Sequence, residues 1–152
     1  MEKIKTIEQL AVGDKASFTK TITEMDVVNF AGITGDLNPA HINEEYAKNT
    51  IFKGRIAHGM LSGGLISAVL GTKLPGPGTI YLNQELKFKA PVHFQDTVTA
   101  EVEIIEKNEE KNILVLRTVC TNQKGKIVTD GTATVLAPKK ANSKDNNSKK
   151  AS

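Results

Sequence analysis

Cysteine is almost absent: Cys120 stands alone in a chain of 152 residues. That excludes a disulfide framework and a zinc site built on several thiolates. Histidine is nearly as scarce, and His41, His58 and His93 show no tight ligand spacing, so no metal is expected. No apolar run approaches the roughly 18 residues that a membrane-spanning helix needs. The opening "MEKIKTIEQL" also lacks the apolar centre of a signal peptide. Positive charge is scarce where it would matter. The chain carries +3, but Pro138 to Ser152 hold five lysines against Asp145, or +4, which leaves −1 for the body. A nucleic-acid face would cluster basic residues on the folded part, so neither nucleic acid nor membrane is an expected partner. A cytoplasmic protein of a reducing compartment is expected, with one domain over residues 1–137 and a Lys/Asn/Ser-rich, disordered tail over 138–152.

Two common catalytic signatures are missing as well. No glycine-rich phosphate loop occurs, and "GPG" at 76–78 includes a proline without a backbone donor. A nucleophile elbow around Ser62 would need glycine where Met60 stands. Cys120 lies in an apolar run and reads as a small buried hydrophobe rather than a reactive thiol.

What is present reads as helix first and sheet afterwards. Residues 25–33 are expected to form a short helix behind Thr23, with Asp26 completing a variant capping box. Asn43 looks like the cap of a helical turn through residues 44–47. "HGMLSGGLISAVLG", residues 58–71, is apolar or small on every face, which predicts a buried helix held by packing rather than by propensity. From Thr79 the period becomes two. Ile80, Leu82, Leu86, Phe88 and Ala90 are expected to share one strand face, with Gln84 as the polar exception. Val98, Ala100, Val102 and Ile104 alternate in a second long strand. Residues 113–120 are apolar on both faces, as a central strand would be, and 127–136 form the last strand, with a shorter one at 14–21. A meander of antiparallel strands curled around one long helix is an α+β hot-dog arrangement.

"TGDLNPAH", residues 34–41, holds Asp36 and His41 around a stiff Asn-Pro bend. By itself it is compatible with a polar turn closed by an Asx bond from Asp36 or Asn38. "IAHGM", residues 56–60, then enters the long helix, where free N–H groups and the helix dipole favour developing negative charge. The lack of a side chain at Gly59 allows a carbonyl oxygen to approach its backbone. An acid–base pair beside an anion-binding helix start is equipment for adding water across a conjugated carbonyl. Asp36 and His41 would move protons, and the Gly59 N–H would form the oxyanion hole. His58 reads as an anchor for the loop. Asn38 either shapes the loop or orients Asp36, and Ser62 and Ser67 either face the acyl pocket or satisfy their hydroxyls on the backbone four residues earlier.

"FAGITGDLNPAHINEEYA" followed by "IFKGRIAHGMLSGGL" strongly resembles the MaoC-like family of (R)-specific enoyl-CoA hydratases, and "GTIYLNQELKFKAPV" resembles its strand after the helix. The resemblance spans residues 16–136. It implies a hot-dog homodimer that binds an acyl-CoA thioester between subunits. It also implies that Asp36 and His41 position the catalytic water while the Gly59 amide holds the thioester oxygen. The expected reaction is reversible hydration of a short trans-2-enoyl-CoA to the (3R)-3-hydroxyacyl-CoA, without a cofactor. A dehydratase acting on acyl carrier protein, a hot-dog thioesterase and a silent acyl-CoA-binding module are the alternatives. The family often has Asp where Asn43 stands, and Asn serves equally as a cap. Lys53, Arg55, Lys87 and Lys89 are candidate contacts for the nucleotide end of CoA. Leu65, Val69 and Leu70 are candidate limits on acyl length.

Overall fold

The computed structural model describes residues 4–139. The expected tail therefore lies, from residue 140 onward, outside the described residues. The elements follow in the order β1 (Lys15–Thr21), α1 (Glu24–Thr34), α2 (Pro39–Ile42), α3 (Glu44–Ala47), α4 (Gly59–Thr72), β2 (Ile80–Phe88), β3 (Thr97–Asn108), β4 (Ile113–Thr121) and β5 (Ile127–Leu136).

The five strands form one antiparallel sheet in the order β1-β3-β4-β5-β2. The simple meander expected from the sequence holds only for β3, β4 and β5. β2 precedes them in the chain yet pairs with β5 at the far edge, and β1 takes the other edge beside β3. Hydrophobic alternation sets which face a strand buries but not its neighbour, so this order was not readable from periodicity. β4 is central, as its double-sided apolar character required.

Strand β2 departs from the expected alternation at Leu82. Its pairing with β5 shifts between Tyr81 and Asn83, which leaves Leu82 as an extra residue. Because directly paired residues share a face, the bulge puts Tyr81 on the side of buried Val135, where it is 37% exposed against 56% for Ile80 and 49% for Leu82. Gln84, the polar exception, is paired with buried Ala133 and satisfied there: its side-chain amide donates to the Thr118 hydroxyl at 2.9 Å and to the Glu85 carbonyl at 2.7 Å.

Helix α4 lies across the sheet and packs on β1, β2, β3 and β4. Leu65, Ile66, Val69 and Leu70 interleave with Val98, Ala100, Val102 and Ile104 of β3 and with Leu114, Leu116 and Cys120 of β4. This is the hot-dog arrangement. The helix is not buried all round, however. Met60, Gly64, Ser67, Ala68 and Gly71 are exposed, because one sheet covers only one side of a helix. The small and apolar residues on every face of α4 are thus matched by half a cover within this chain. Cys120 is fully buried beneath the helix, and desolvation pushes its thiol up to about 12, so it stays protonated.

Candidate active site

Helix α1 ends at Gly35, which adopts a left-handed conformation (φ 76°) and donates its N–H to the Ala31 carbonyl. Only a residue without Cβ enters that region at no steric cost, so the chain can turn sharply into Asp36. Asx bonds follow at two successive steps. The Asn38 N–H donates to Asp36 Oδ1 at 3.2 Å, and the Ala40 N–H donates to Asn38 Oδ1 at 3.0 Å. Asn38 is therefore the cap of α2 and Pro39 its first residue, which fixes the short helix that carries His41. The local, polar-turn reading of this loop is correct as far as it goes.

The turn has a second face. His41 is nearly buried, and its Nδ1–H donates to the Ile56 carbonyl at 2.8 Å. A carbonyl can only accept, so Nδ1 carries a proton, and in the neutral ring Nε2 holds the lone pair. His58 Nε2–H donates to the Asp36 backbone carbonyl at 3.0 Å by the same logic. The two imidazoles stack with centroids 3.8 Å apart and planes tilted by 31°, and Phe30 backs His58 at 4.8 Å. Segments 36–41 and 56–59, distant in sequence, are joined in this way. The Ile56 N–H also donates to the Ala40 carbonyl at 3.2 Å, and the Ala57 N–H to the Val92 carbonyl at 2.8 Å.

These groups line a cleft of about 460 Å³ with Phe52, Ile56, Met60, Ser62, Phe88, Val92 and Thr129 among its walls. A mostly apolar cavity with a few converging polar groups is the usual form of a small-molecule site. Asp36, His41 and His58 each offer an atom within 4.8 Å of the others, which by distance alone could suit a divalent cation. The stacking argues otherwise. An imidazole lone pair lies in the ring plane, so two stacked rings aim theirs side by side rather than at one centre.

Gly59 opens α4 and lines the cleft. A Cβ there would stand 2.9 Å from two carbons of the Phe88 ring. The glycine is needed because that ring leans on the helix start, a contact the sequence did not reveal. Ser62 is buried in the wall of the same cleft, whereas Ser67 lies on the exposed side of α4, outside it. Of the four cations considered for CoA, Arg55 is engaged by Glu24 at 2.7 Å and Glu44 at 3.2 Å, which raise its pKa. Lys87 pairs with Glu85 at 3.1 Å, Lys53 does not line the cleft, and Lys89 does. Phe52, Met60, Phe88 and Thr129 are cleft residues that pattern reading missed. The three apolar ones are no different in character from core residues, and Thr129 is one threonine among several in the strands.

Comparisons with known proteins place the chain among relatives of one family. Residues 8–125 match the model of the MaoC like domain. The (R)-specific enoyl-CoA hydratase of Rhodospirillum rubrum is 58% identical over 86% of this chain and 90% of its own length. The 3-hydroxybutyryl-CoA dehydratase of Methylorubrum extorquens is 48% identical over 91% of this chain and 87% of its own length. Among solved structures, the R-hydratase PhaJ1 of Pseudomonas aeruginosa superposes with a TM-score of 0.84 at 50% identity, covering 88% of this chain and 86% of that one. No helix among the described residues is long and apolar enough to cross a membrane. With a family model matched over most of its length, and with such relatives, the chain belongs to the MaoC-like family.

Proposed function

We propose that the protein is a hydro-lyase, an (R)-specific enoyl-CoA hydratase that interconverts a short trans-2-enoyl-CoA, such as crotonyl-CoA, and the (3R)-3-hydroxyacyl-CoA. The observation that carries this reading is the meeting of Asp36, His41 and the open start of α4 in one apolar cleft. Asp36 and the Nε2 lone pair of His41 hold one water between them. As its oxygen bonds to the β-carbon, a proton passes to this pair. The double-bond electrons shift to the thioester oxygen, and the enolate is held by the Gly59 N–H at the positive end of α4. The same pair returns the proton to the α-carbon, on the face from which the water came. Water is the only co-reactant and CoA is part of the substrate, so no cofactor is needed.

Homodimerisation belongs to the same reading. Edge strand β2 exposes Ile80 and Leu82, and its last residue Phe88, like Met60 of α4, is both exposed and part of the cleft wall. A second copy placed there would cover an unpaired edge and the open side of the cleft together. Sedimentation should give twice the 16.4 kDa chain mass, and an active monomer would overturn this part. We place the enzyme in the cytoplasm, where a lone buried thiol is stable.

Loss of enoyl absorbance with crotonyl-CoA, and chiral analysis of the product, test the reaction. A clear preference for the crotonyl group on acyl carrier protein would make the enzyme a carrier-protein dehydratase. Release of free CoA would make it a thioesterase. Tight binding without turnover would make it a silent module.

A further inference from the structure

His58 carries no step in the hydration proposed above, yet it touches every part of that site. Its own peptide leads into Gly59, its Nε2–H donates to the Asp36 carbonyl at 3.0 Å, and its ring stacks on that of His41 at 3.8 Å. Two further features set it apart from an ordinary packed histidine. The first is its position. His58 is the N-cap of α4, where Ser, Thr, Asp or Asn would fold an oxygen over the first amides, but its side chain makes no capping bond. The Leu61 N–H is taken by the His58 carbonyl at 3.0 Å, no side-chain oxygen is folded over the helix start, and the Gly59 amide stays open toward the cleft. The second is its Nδ1, the one buried side-chain nitrogen or oxygen without a partner among the described residues, in a side chain only 3% exposed. An acceptor left so is destabilising, and its presence calls for a reason.

We infer that His58 is a positioning residue that sets the spacing between the water-holding pair and the oxyanion amide. This rests on the hydration reading. Adding water to a conjugated thioester requires a water at the β-carbon and an N–H donor at the carbonyl oxygen of the same rigid conjugated unit. The two sites must therefore stay a fixed distance apart. One segment supplies the pair and another supplies the amide. The planar, inflexible ring of His58 locks them together, with Phe30 packed behind it at 4.8 Å. The unpartnered Nδ1 follows from this arrangement, because the ring is oriented by Asp36 and His41 rather than by its own second nitrogen.

The test uses the full chain with His58→Gln, His58→Phe and His58→Asn, and reads kcat, KM and Tm on crotonyl-CoA. Gln reaches the Nε2 position and keeps a donor for Asp36, Phe keeps the stack without the donor, and Asn is short and a strong N-cap. We expect kcat to fall in all three with KM little changed. Gln should lose least, and Asn most, toward the roughly 10²-fold that a misplacement of about 1 Å costs. Asn should nevertheless melt no lower than Phe, because it caps the helix. Activity and stability would then rank the variants differently, which a packing role alone would not produce. If kcat follows Tm through the series, or all three keep wild-type kcat, the inference is overturned while the hydration reading stands. A wild-type chain inactive on crotonyl-CoA overturns both.

Discussion

Helices α1 and α4 begin in opposite ways. At the start of α1, Thr23 and Asp26 close a capping box: the Asp26 N–H donates to Thr23 Oγ1 at 3.2 Å, and the Thr23 N–H donates to the Asp26 carboxylate at 2.9 Å. Lys20 adds a cation at 3.2 Å. Every partner lies within six residues of the others. At the start of α4 the N-cap side chain bonds Asp36 instead, 22 positions away, and the first amides face a cleft of about 460 Å³. A helix end meant only to be stable is closed by its neighbours in sequence. An end left open carries uncompensated donors, and the fold must hold it by long-range packing. If that contrast is functional, damage to the open end should cost rate and spare stability, and damage to the closed end should do the reverse.

The sharpest break falls on the pair facing the open end. Asp36→Asn keeps shape but removes the charge that draws a proton, and His41→Gln cannot take up and return one. Each should lower kcat on crotonyl-CoA by about 10²–10⁴-fold with little change in Tm. The double variant should lose little more than the worse single one, because both act on one water. Near-wild-type kcat for Asp36→Asn would reduce the loop to the turn it also is.

Gly59→Ala tests the open end itself. The new methyl must displace the Phe88 ring from a 2.9 Å contact, yet the amide remains in the chain. The loss in kcat should stay below the roughly 10²–10³-fold that deleting an oxyanion donor costs. Adding Phe88→Leu should recover part of it by making room. If Gly59→Ala is fully active, the Phe88 contact at the helix start has no bearing on turnover.

The same contrast explains which features were legible in the sequence. The Thr23 box and the Asn43 cap, whose Oδ1 accepts the Tyr46 N–H at 3.0 Å, involve residues three apart and could be read directly. Asp36, His41 and Gly59 were legible as chemistry and by family resemblance. Their junction was not, because the His41–His58 stack and the Phe88 contact depend on how distant segments meet. Strand order, the bulge at Leu82 and the exposed side of α4 were hidden for a related reason. An apolar residue shows that it wants cover, not which element or which molecule supplies it. Ser67 illustrates this: five residues after Ser62 on one helix, it points away from the cleft that Ser62 lines.

At the closed end, Thr23→Ala removes one half of the box. An N-cap loss of about 1 kcal/mol is expected, which for a domain of this size lowers Tm by roughly 2–4 °C. The kcat of the folded protein should not change, since the box lies outside the cleft walls. A loss of kcat without a loss of Tm would put α1 into the site and undo the comparison.

The smallest effect concerns the charge of Asp26. The Thr23 backbone N–H is the main reason its carboxyl titrates below the ordinary value of 3.8, with the Thr23 hydroxyl and Lys20 assisting against a partial desolvation. A folded-state pKa that is lowered means the ionised group favours the folded state. That contribution is complete above the unfolded-state value and is lost as pH falls through the folded-state one. Asp26→Asn keeps an oxygen to accept the Thr23 N–H but carries no charge. Wild type should therefore be the more stable at pH 7, by no more than the roughly 0.3–1 kcal/mol of a charge at a helix N-terminus. The gap should begin to close once pH drops below about 4 and should vanish when Asp26 is protonated in the folded chain as well. Urea midpoints of the two proteins between pH 7 and pH 2 measure this directly. A gap that stays constant would mean that only the hydrogen bonds of the box matter. A gap that opens as pH falls would mean that burial, not the Thr23 N–H, governs this carboxylate. Throughout the series kcat at pH 7 should be the same for both, since the charge sits at the end of the molecule that is closed.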